Sequence, residues 1–180
     1  MAYVILGLLH LWPQSLYDLV KNFEAGVSLF YSASSGSIKR ALDGLLERGA
    51  IEADDGDGPR SRKVYRVTAV GRREFHEWMT GPLAGPDAEA AALPRLYFLG
   101  LLAEPERGPV LAGILARIDA DLARLTDLAT QIEGVDVPDE LRDVFVFQQA
   151  TLDYGITSYR HSLEWFRDLA QRHADGSAQR

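Results

Sequence analysis

The chain has 180 residues, 47% hydrophobic and 25% charged, with no cysteine and a formal net charge of −7 at pH 7. That length and balance describe a folded globular chain able to bury one large core or two small ones. The absence of cysteine excludes disulfide scaffolds, thiolate metal centres and thiol redox chemistry.

The acidity is uneven. Up to Met79 there are ten Lys/Arg against ten Asp/Glu; from Thr80 onward there are nine Arg against sixteen acids, and all three lysines (Lys21, Lys39, Lys63) lie in the first half. A neutral first half can approach a phosphate backbone, whereas the second half is repelled by one. No run reaches the ~20 apolar residues that a membrane helix needs. The start Met1-Ala2-Tyr3-Val4 has no basic segment of a secretory signal, so a cytoplasmic chain without a membrane partner is expected.

In chain order, Tyr3 to His10 reads as a short apolar helix ended near Pro13. Ser15 caps a second helix with Asp18 three residues on, a capping box, and Leu16, Leu19, Val20 and Phe23 repeat at helical spacing. Glu24 to Ser32 reads as a connector carrying Phe30 and Tyr31. A third helix runs from Ser34 to Arg48 and stops at Gly49. Ile51–Asp54 and Lys63–Thr68 make two strands around the turn-forming Asp55-Gly56-Asp57-Gly58-Pro59. Thr68 caps a fourth helix to Met79.

Two Gly-Pro pairs mark residues 80–87 as a linker. Beyond it the spacing predicts a helix over Asp87–Leu102, bent at Pro94, and another over Glu106–Ile132. In the latter, Leu111, Leu115, Ile118, Leu122, Leu125, Ala129 and Ile132 form a heptad seam. A last helix runs from Pro138 to about Arg172, too long for a chain of this size to cover alone. Its Leu141, Phe145, Leu152, Tyr159, Leu163, Phe166 and Leu169 ask for a partner surface, most simply a second copy. The division expected is therefore residues 1–79, the 80–87 linker, a helical domain over 88–173 and a flexible tail over 174–180. The fold class is mostly α with a small β-hairpin wing: an N-terminal winged helix-turn-helix, then a C-terminal domain of long helices.

The order helix, helix, helix, hairpin, helix suggests a reader of duplex DNA. With Ile38, Leu42, Leu45 and Leu46 turned inward, the third helix turns Lys39, Arg40, Asp43 and Glu47 outward. Ser34, Ser35 and Ser37 bring hydroxyls and free N–H groups to its start, where phosphates bind. Lys39 and Arg40 can reach base edges, while Asp43 and Glu47 repel phosphate or select cytosine. Arg60, Arg62, Lys63 and Arg66 gather cations around the hairpin turn, as a wing lying along the backbone requires. Against this stands an ordinary solvated helix face and an acid-balanced loop, since Asp54, Asp55 and Asp57 are close.

The chain resembles the PadR family of bacterial transcriptional regulators. The likeness rests on Tyr3-Val4-Ile5-Leu6-Gly7-Leu8-Leu9, Ser15-Leu16-Tyr17-Asp18-Leu19-Val20, Ser35-Gly36-Ser37-Ile38, Leu45-Leu46-Glu47-Arg48-Gly49-Ala50-Ile51 and Tyr65-Arg66-Val67-Thr68 through Trp78. The second half is similar to that family's virulence-activator alpha domain at Leu152-Asp153-Tyr154-Gly155-Ile156 and Leu163-Glu164-Trp165. Lys39-Arg40 departs from the Tyr and Pro common there, which implies a different operator preference. The resemblance implies a homodimeric regulator, usually a repressor on an inverted repeat of double-stranded DNA, released in some cases by a small aromatic effector. It also implies a dimer made by the C-terminal helices with the first helix.

Dimer contacts are expected from Leu111, Leu115, Ile118, Leu122, Leu152, Tyr159 and Phe166, and effector contacts from Tyr154, Tyr159, Arg160 and Trp165. The aromatic side chains of this half serve equally well as core and dimer packing. His10, His76, His161 and His173 show no ligand spacing, and there is no phosphate loop or nucleophile elbow. No metal, cofactor or enzymatic activity is expected. The alternative from another class is a winged-helix protein-interaction module without DNA.

Overall fold

The computed structural model describes residues 1–29, 33–55 and 62–178. Helix α1 (Ala2–Leu11) is apolar all round, and Val4 to Leu9 are buried, so it forms the middle of the first layer and not a surface face. Helix α2 (Leu16–Ala25) starts on the expected capping box: the Asp18 N–H donates to Ser15 Oγ at 3.3 Å, and Ser15 N–H donates back to Asp18 Oδ2 at 3.0 Å. The Ser15 hydroxyl also donates to Asp18 Oδ2 at 2.7 Å, and this bond first, then that from Ser15 N–H, holds the Asp18 carboxyl below its ordinary pKa. Helix α3 (Ser35–Glu47) is capped by Ser34. It ends where Gly49 takes φ 69°, a left-handed conformation that glycine adopts without strain.

Strand β2 (Ile51–Asp55) pairs antiparallel with β3 (Lys63–Val67), from Ile51 opposite Val67 to Asp55 opposite Lys63. Thr68 Oγ1 then donates to Gly49 O at 2.6 Å and accepts from Gly71 N, which caps α4 (Ala69–Thr80) and ties the wing to the end of α3. One strand was not expected. Gln14–Ser15 forms β1, which pairs with β3 to give the sheet order β1-β3-β2. The Gln14 side chain is buried but satisfied, donating to Leu8 O at 2.6 Å and accepting from Asn22 Nδ2 at 2.6 Å.

Helix α5 (Ala88–Tyr97) contains Pro94 and is shorter than the predicted Asp87–Leu102. Phe98 N–H still reaches Pro94 O, but Leu101 and Leu102 donate to residues three back, forming a 3₁₀ turn over Leu99–Leu101. Helix α6 (Glu104–Ile132) has Pro105 in its first turn, where the missing N–H costs nothing. A 3₁₀ turn over Asp139–Leu141 leads into α7 (Arg142–Ala178). Its 37 residues span roughly 55 Å. The helix continues into the segment expected to be a tail, with Gln171 Nε2 donating to Asp175 Oδ1 at 2.9 Å.

The fold class expected from sequence is the one observed. The division of the chain is less simple than one linker: Met1–Pro82 and Ala90–Glu106 form one compact unit, Leu83–Glu89 and Arg107–Arg180 the other. Residues 90–106 join the first unit through specific contacts. The Phe98 ring lies on Gly7 so closely that a Cβ there would come within 2.6 Å of it. Arg95, only 4% exposed, donates to Gly81 O at 2.7 Å and Pro82 O at 2.9 Å, and its guanidinium stands 5.4 Å over the Trp78 ring. In the second unit Arg117 holds the following stretch, donating to Leu83 O at 2.9 Å and to Gly85 O at 2.7 Å. Within that unit α6 and α7 run antiparallel, joined by Asp119–Arg167, by Asp121–Tyr159 and by Leu125 against Gly155.

Candidate nucleic-acid interface

Helix α3 is seated by Ile38, Leu42 and Leu45, each 0% exposed. Burial of each contributes about 1.5–3 kcal/mol, enough to fix which face looks outward. Lys39, Arg40, Asp43 and Glu47 stand on the solvent face, and Leu46 is half-buried. The helix start is ordered by its serines. Ser37 N–H donates to Ser34 Oγ at 3.2 Å, and Ser37 Oγ–H donates to Ser34 O at 2.7 Å. Ser34 and Ser35 are exposed, with Ser37 half-buried beside them. The result is a helix N-terminus flanked by hydroxyls with two cations one turn on, the chemistry that accepts a phosphate and reaches past it.

The wing is fixed at its base by the β2–β3 ladder. Lys63 and Arg66 are exposed on β3. Arg62 is exposed as well, but its guanidinium lies 5.3 Å over the Tyr17 ring of α2, so this cation is steered by an aromatic face. Arg60, named with them from the sequence, lies outside the described residues, as does the turn itself.

The dimer residues expected from sequence fall into two groups. Leu111, Ile118 and Phe166 are 1–2% exposed in the single chain. They are core, because the covered stripe of α6 keeps Leu111 and Ile118 of the heptad seam but otherwise runs through Val110, Ile114 and Asp121. Leu115, Leu122, Leu152 and Tyr159 are half-buried. The open apolar side chains lie elsewhere: Leu141, Val144, Val146 and Phe147, the last 74% exposed. Leu141 was named from its spacing, but Val144, Val146 and Phe147 were missed because the two-sided run from Val144 to Phe147 has no helical period.

Of the residues expected to meet an effector, Tyr154 and Tyr159 line one cavity of about 200 Å³ in the second unit. Arg160 and Trp165 do not line it; Arg160 is exposed, and Trp165 packs edge-on against Phe166 with ring centroids 5.1 Å apart. Sequence reasoning missed Asp121, 4% exposed and held by Arg117 and Arg124 at 2.9 and 2.6 Å. Its only sequence signal was two arginines at helical spacing from one acid. His76 Nε2 meets Glu106 Oε1 at 2.6 Å. Among the described residues no three potential ligands gather as a metal site would need, and no helix is long and apolar enough to cross a membrane.

Residues 5–77 match the model of the transcriptional regulator PadR-like family. No curated protein matches the sequence. Among solved structures, Bacillus subtilis PadR in complex with operator DNA is 22% identical, covering 96% of this chain and 98% of that one at a TM-score of 0.42. A PadR-like transcriptional regulator from Bacillus cereus is 24% identical, with 97% and 98% coverage and a TM-score of 0.41. The Vibrio cholerae virulence activator AphA is 19% identical, with 99% coverage of both chains and a TM-score of 0.40. At these TM-scores no residue role passes from those proteins to this chain.

Proposed function

We propose that this chain, whose residues 5–77 belong to the PadR-like family of transcriptional regulators, acts as a homodimeric repressor that binds an inverted repeat through α3 and the wing. The observation that carries this reading is the seating of α3. Its inner face is fully covered, so Lys39 and Arg40 are presented from a fixed helix beside a serine-lined N-terminus. Two such helices related by a twofold axis read successive major grooves about one helical turn apart. The open apolar side chains of α7 supply a surface for the second copy. The base-reading pair is Lys39 and Arg40; Ser34, Ser35 and Ser37 contact phosphate, and Arg62 and Lys63 follow the backbone beside the groove. Tyr154 and Tyr159 form the site of a small aromatic effector that releases the operator.

The test is a titration of duplex DNA from upstream of its own gene. Wild-type protein binds with an affinity that falls steeply with salt, because phosphate neutralisation releases counterions. The Lys39→Ala/Arg40→Ala double variant loses about 100-fold, two contacts at about 1–3 kcal/mol each. Undiminished binding by that variant removes the contact assignment. Absence of binding to any duplex at low salt favours a winged-helix module that meets proteins instead.

A further inference from the structure

The cavity of the second unit has a chemistry that specifies the charge of its occupant. Tyr154, Ser158, Tyr159 and Ser162 line it from one face of α7, at spacings of three and four. Asp87 and Glu89 line it from the start of α5 and the residue before it, and Ile118 contributes an apolar patch from α6. Among the described residues no lysine, arginine or histidine lines it. Arg117, whose charge reaches Tyr159, is already engaged: its Nε pairs with Asp121, and its two terminal nitrogens donate to Leu83 O and Gly85 O.

We propose that this cavity binds a small organic cation, an ammonium group carried on an aromatic body. The ammonium lies between the carboxylates of Asp87 and Glu89, and the ring lies against Tyr154 and Tyr159. Two phenol rings and two carboxylates are the set that recognises such a cation, by attraction to the ring faces and by charge-assisted hydrogen bonds. Ser158 and Ser162 can accept or donate at the other polar atoms of the ligand. An anionic ligand of the same shape meets the carboxylates of Asp87 and Glu89, while Arg117, whose charge is felt at Tyr159, is already paired with Asp121. The Tyr159 hydroxyl stands 3.5 Å from Asp121 Oδ2. Burial first, then Asp121 and Asp87, push its pKa up, so the ring stays a neutral phenol and adds no charge of its own. Asp87 and Glu89 belong to the segment whose carbonyls Arg117 holds, so an occupant ties that segment to α7. This assignment rests on the proposed effector role of Tyr154 and Tyr159 and names the class of ligand.

The experiment is isothermal titration calorimetry of the full chain, without DNA, against tyramine and against 4-hydroxyphenylacetate, which differ chiefly in the sign of charge. Tyramine is expected to bind saturably and at least about tenfold more tightly than the anion. Asp87→Asn/Glu89→Gln is expected to weaken tyramine about tenfold or more. Asn retains the acceptor by which Asp87 caps the Glu89 N–H at 2.9 Å. Glu133→Gln/Asp136→Asn removes the same charge from an exposed turn outside the cavity and should change nothing. Tyr154 is 75% exposed, so Tyr154→Ala keeps the fold while weakening tyramine severalfold. Equal or tighter binding of 4-hydroxyphenylacetate, no saturation by tyramine at millimolar concentration, or equal loss in both charge variants would overturn the assignment. Tyramine binding by a chain that shifts no duplex leaves the cavity standing and sinks the DNA reading. DNA binding without tyramine binding does the reverse.

Discussion

Helices α3 and α7 are both amphipathic, yet they meet solvent in opposite ways. In α3 the inner apolar side chains Ile38, Leu42 and Leu45 are completely covered, and the outer face carries Lys39, Arg40, Asp43 and Glu47. In α7 Ile156, Leu163 and Phe166 are covered, but Val144, Val146 and Phe147, with Leu141 just before the helix, remain more than half exposed. The first helix has finished folding within its own chain and what it offers is polar and charged. The second offers hydrocarbon that water disfavours, which is the mark of a surface for another protein face. The same contrast appears in charge, since the neutral half holds the finished helix and the acidic half the unfinished one. One chain thus presents two surfaces that cannot be mistaken for each other by their partners.

The contrast is broken most forcefully at Leu42. Leu42→Ala removes a side chain at 0% exposure from the seat of α3 and should destabilise the N-terminal unit by about 3 kcal/mol. Urea unfolding should show that loss at every protein concentration. Next comes Phe147→Asp on α7. The ring is 74% exposed, so unfolding of a dilute monomer should hardly move. Self-association measured by sedimentation should weaken by about 2 kcal/mol, as removal of an interface anchor does. Loss of monomer stability without loss of association would show that α7 is finished too. Third is Ser15→Ala, which removes the hydroxyl that accepts from Asp18 N–H and donates to Asp18 Oδ2 at the start of α2 and should cost about 1 kcal/mol. Because α2 and β1 meet at Ser15, part of that loss should appear as faster hydrogen exchange of the β1–β3 pairs.

How far the sequence revealed this arrangement depends on where information is local. The seat and the stop of α3 were legible because both are short-range: apolar spacing at 38, 42 and 45, a serine at 34, a glycine at 49. Ser15 and Thr68 were legible as caps for the same reason. Strand β1 was not, because two residues carry no period; it exists through its pairing with β3, fifty residues away. Residues 90–106 read as part of the second half, but Phe98 on Gly7 and Arg95 on Gly81 are tertiary choices that no window contains. The heptad seam of α6 was read from spacing alone, yet its covered stripe is rotated toward Ile114 and Asp121, so a 3.5-residue period did not identify the face. In the candidate site, Lys39 and Arg40 were legible from helix polarity. Of the cavity lining, Tyr154 and Tyr159 were named as effector contacts from the sequence, but Asp87, Glu89 and Ile118 were not, since they are brought beside α7 only by the fold.

The smallest predicted effect tests whether the N-terminal unit is as closed as its buried side chains imply. His10 in α1 has its ring 4.5 Å from that of Phe75, centroid to centroid, and its Nδ1 lies 2.7 Å from Leu6 O. A carbonyl only accepts, so Nδ1 carries the hydrogen and Nε2 is the site that protonates. Burial, opposed by the Leu6 carbonyl and reinforced by Arg72, lowers the pKa below the ordinary 6.5. With the folded value depressed, the unfolded chain takes up a proton first as the pH drops. The contribution of His10 is therefore complete above pH 6.5 and is lost as the pH falls through the folded pKa. Asp18 and Glu106, also lowered, start from 3.8 and 4.5, so they act in a more acidic window. Between pH 6.5 and about 5 the slope of stability should belong mainly to His10. Urea unfolding across that interval should show a shallow decline in the wild type and a flatter one in His10→Gln. An equal slope in both proteins would mean that water reaches the α1–α4 contact, and the finished unit would then be less closed than α3 suggests.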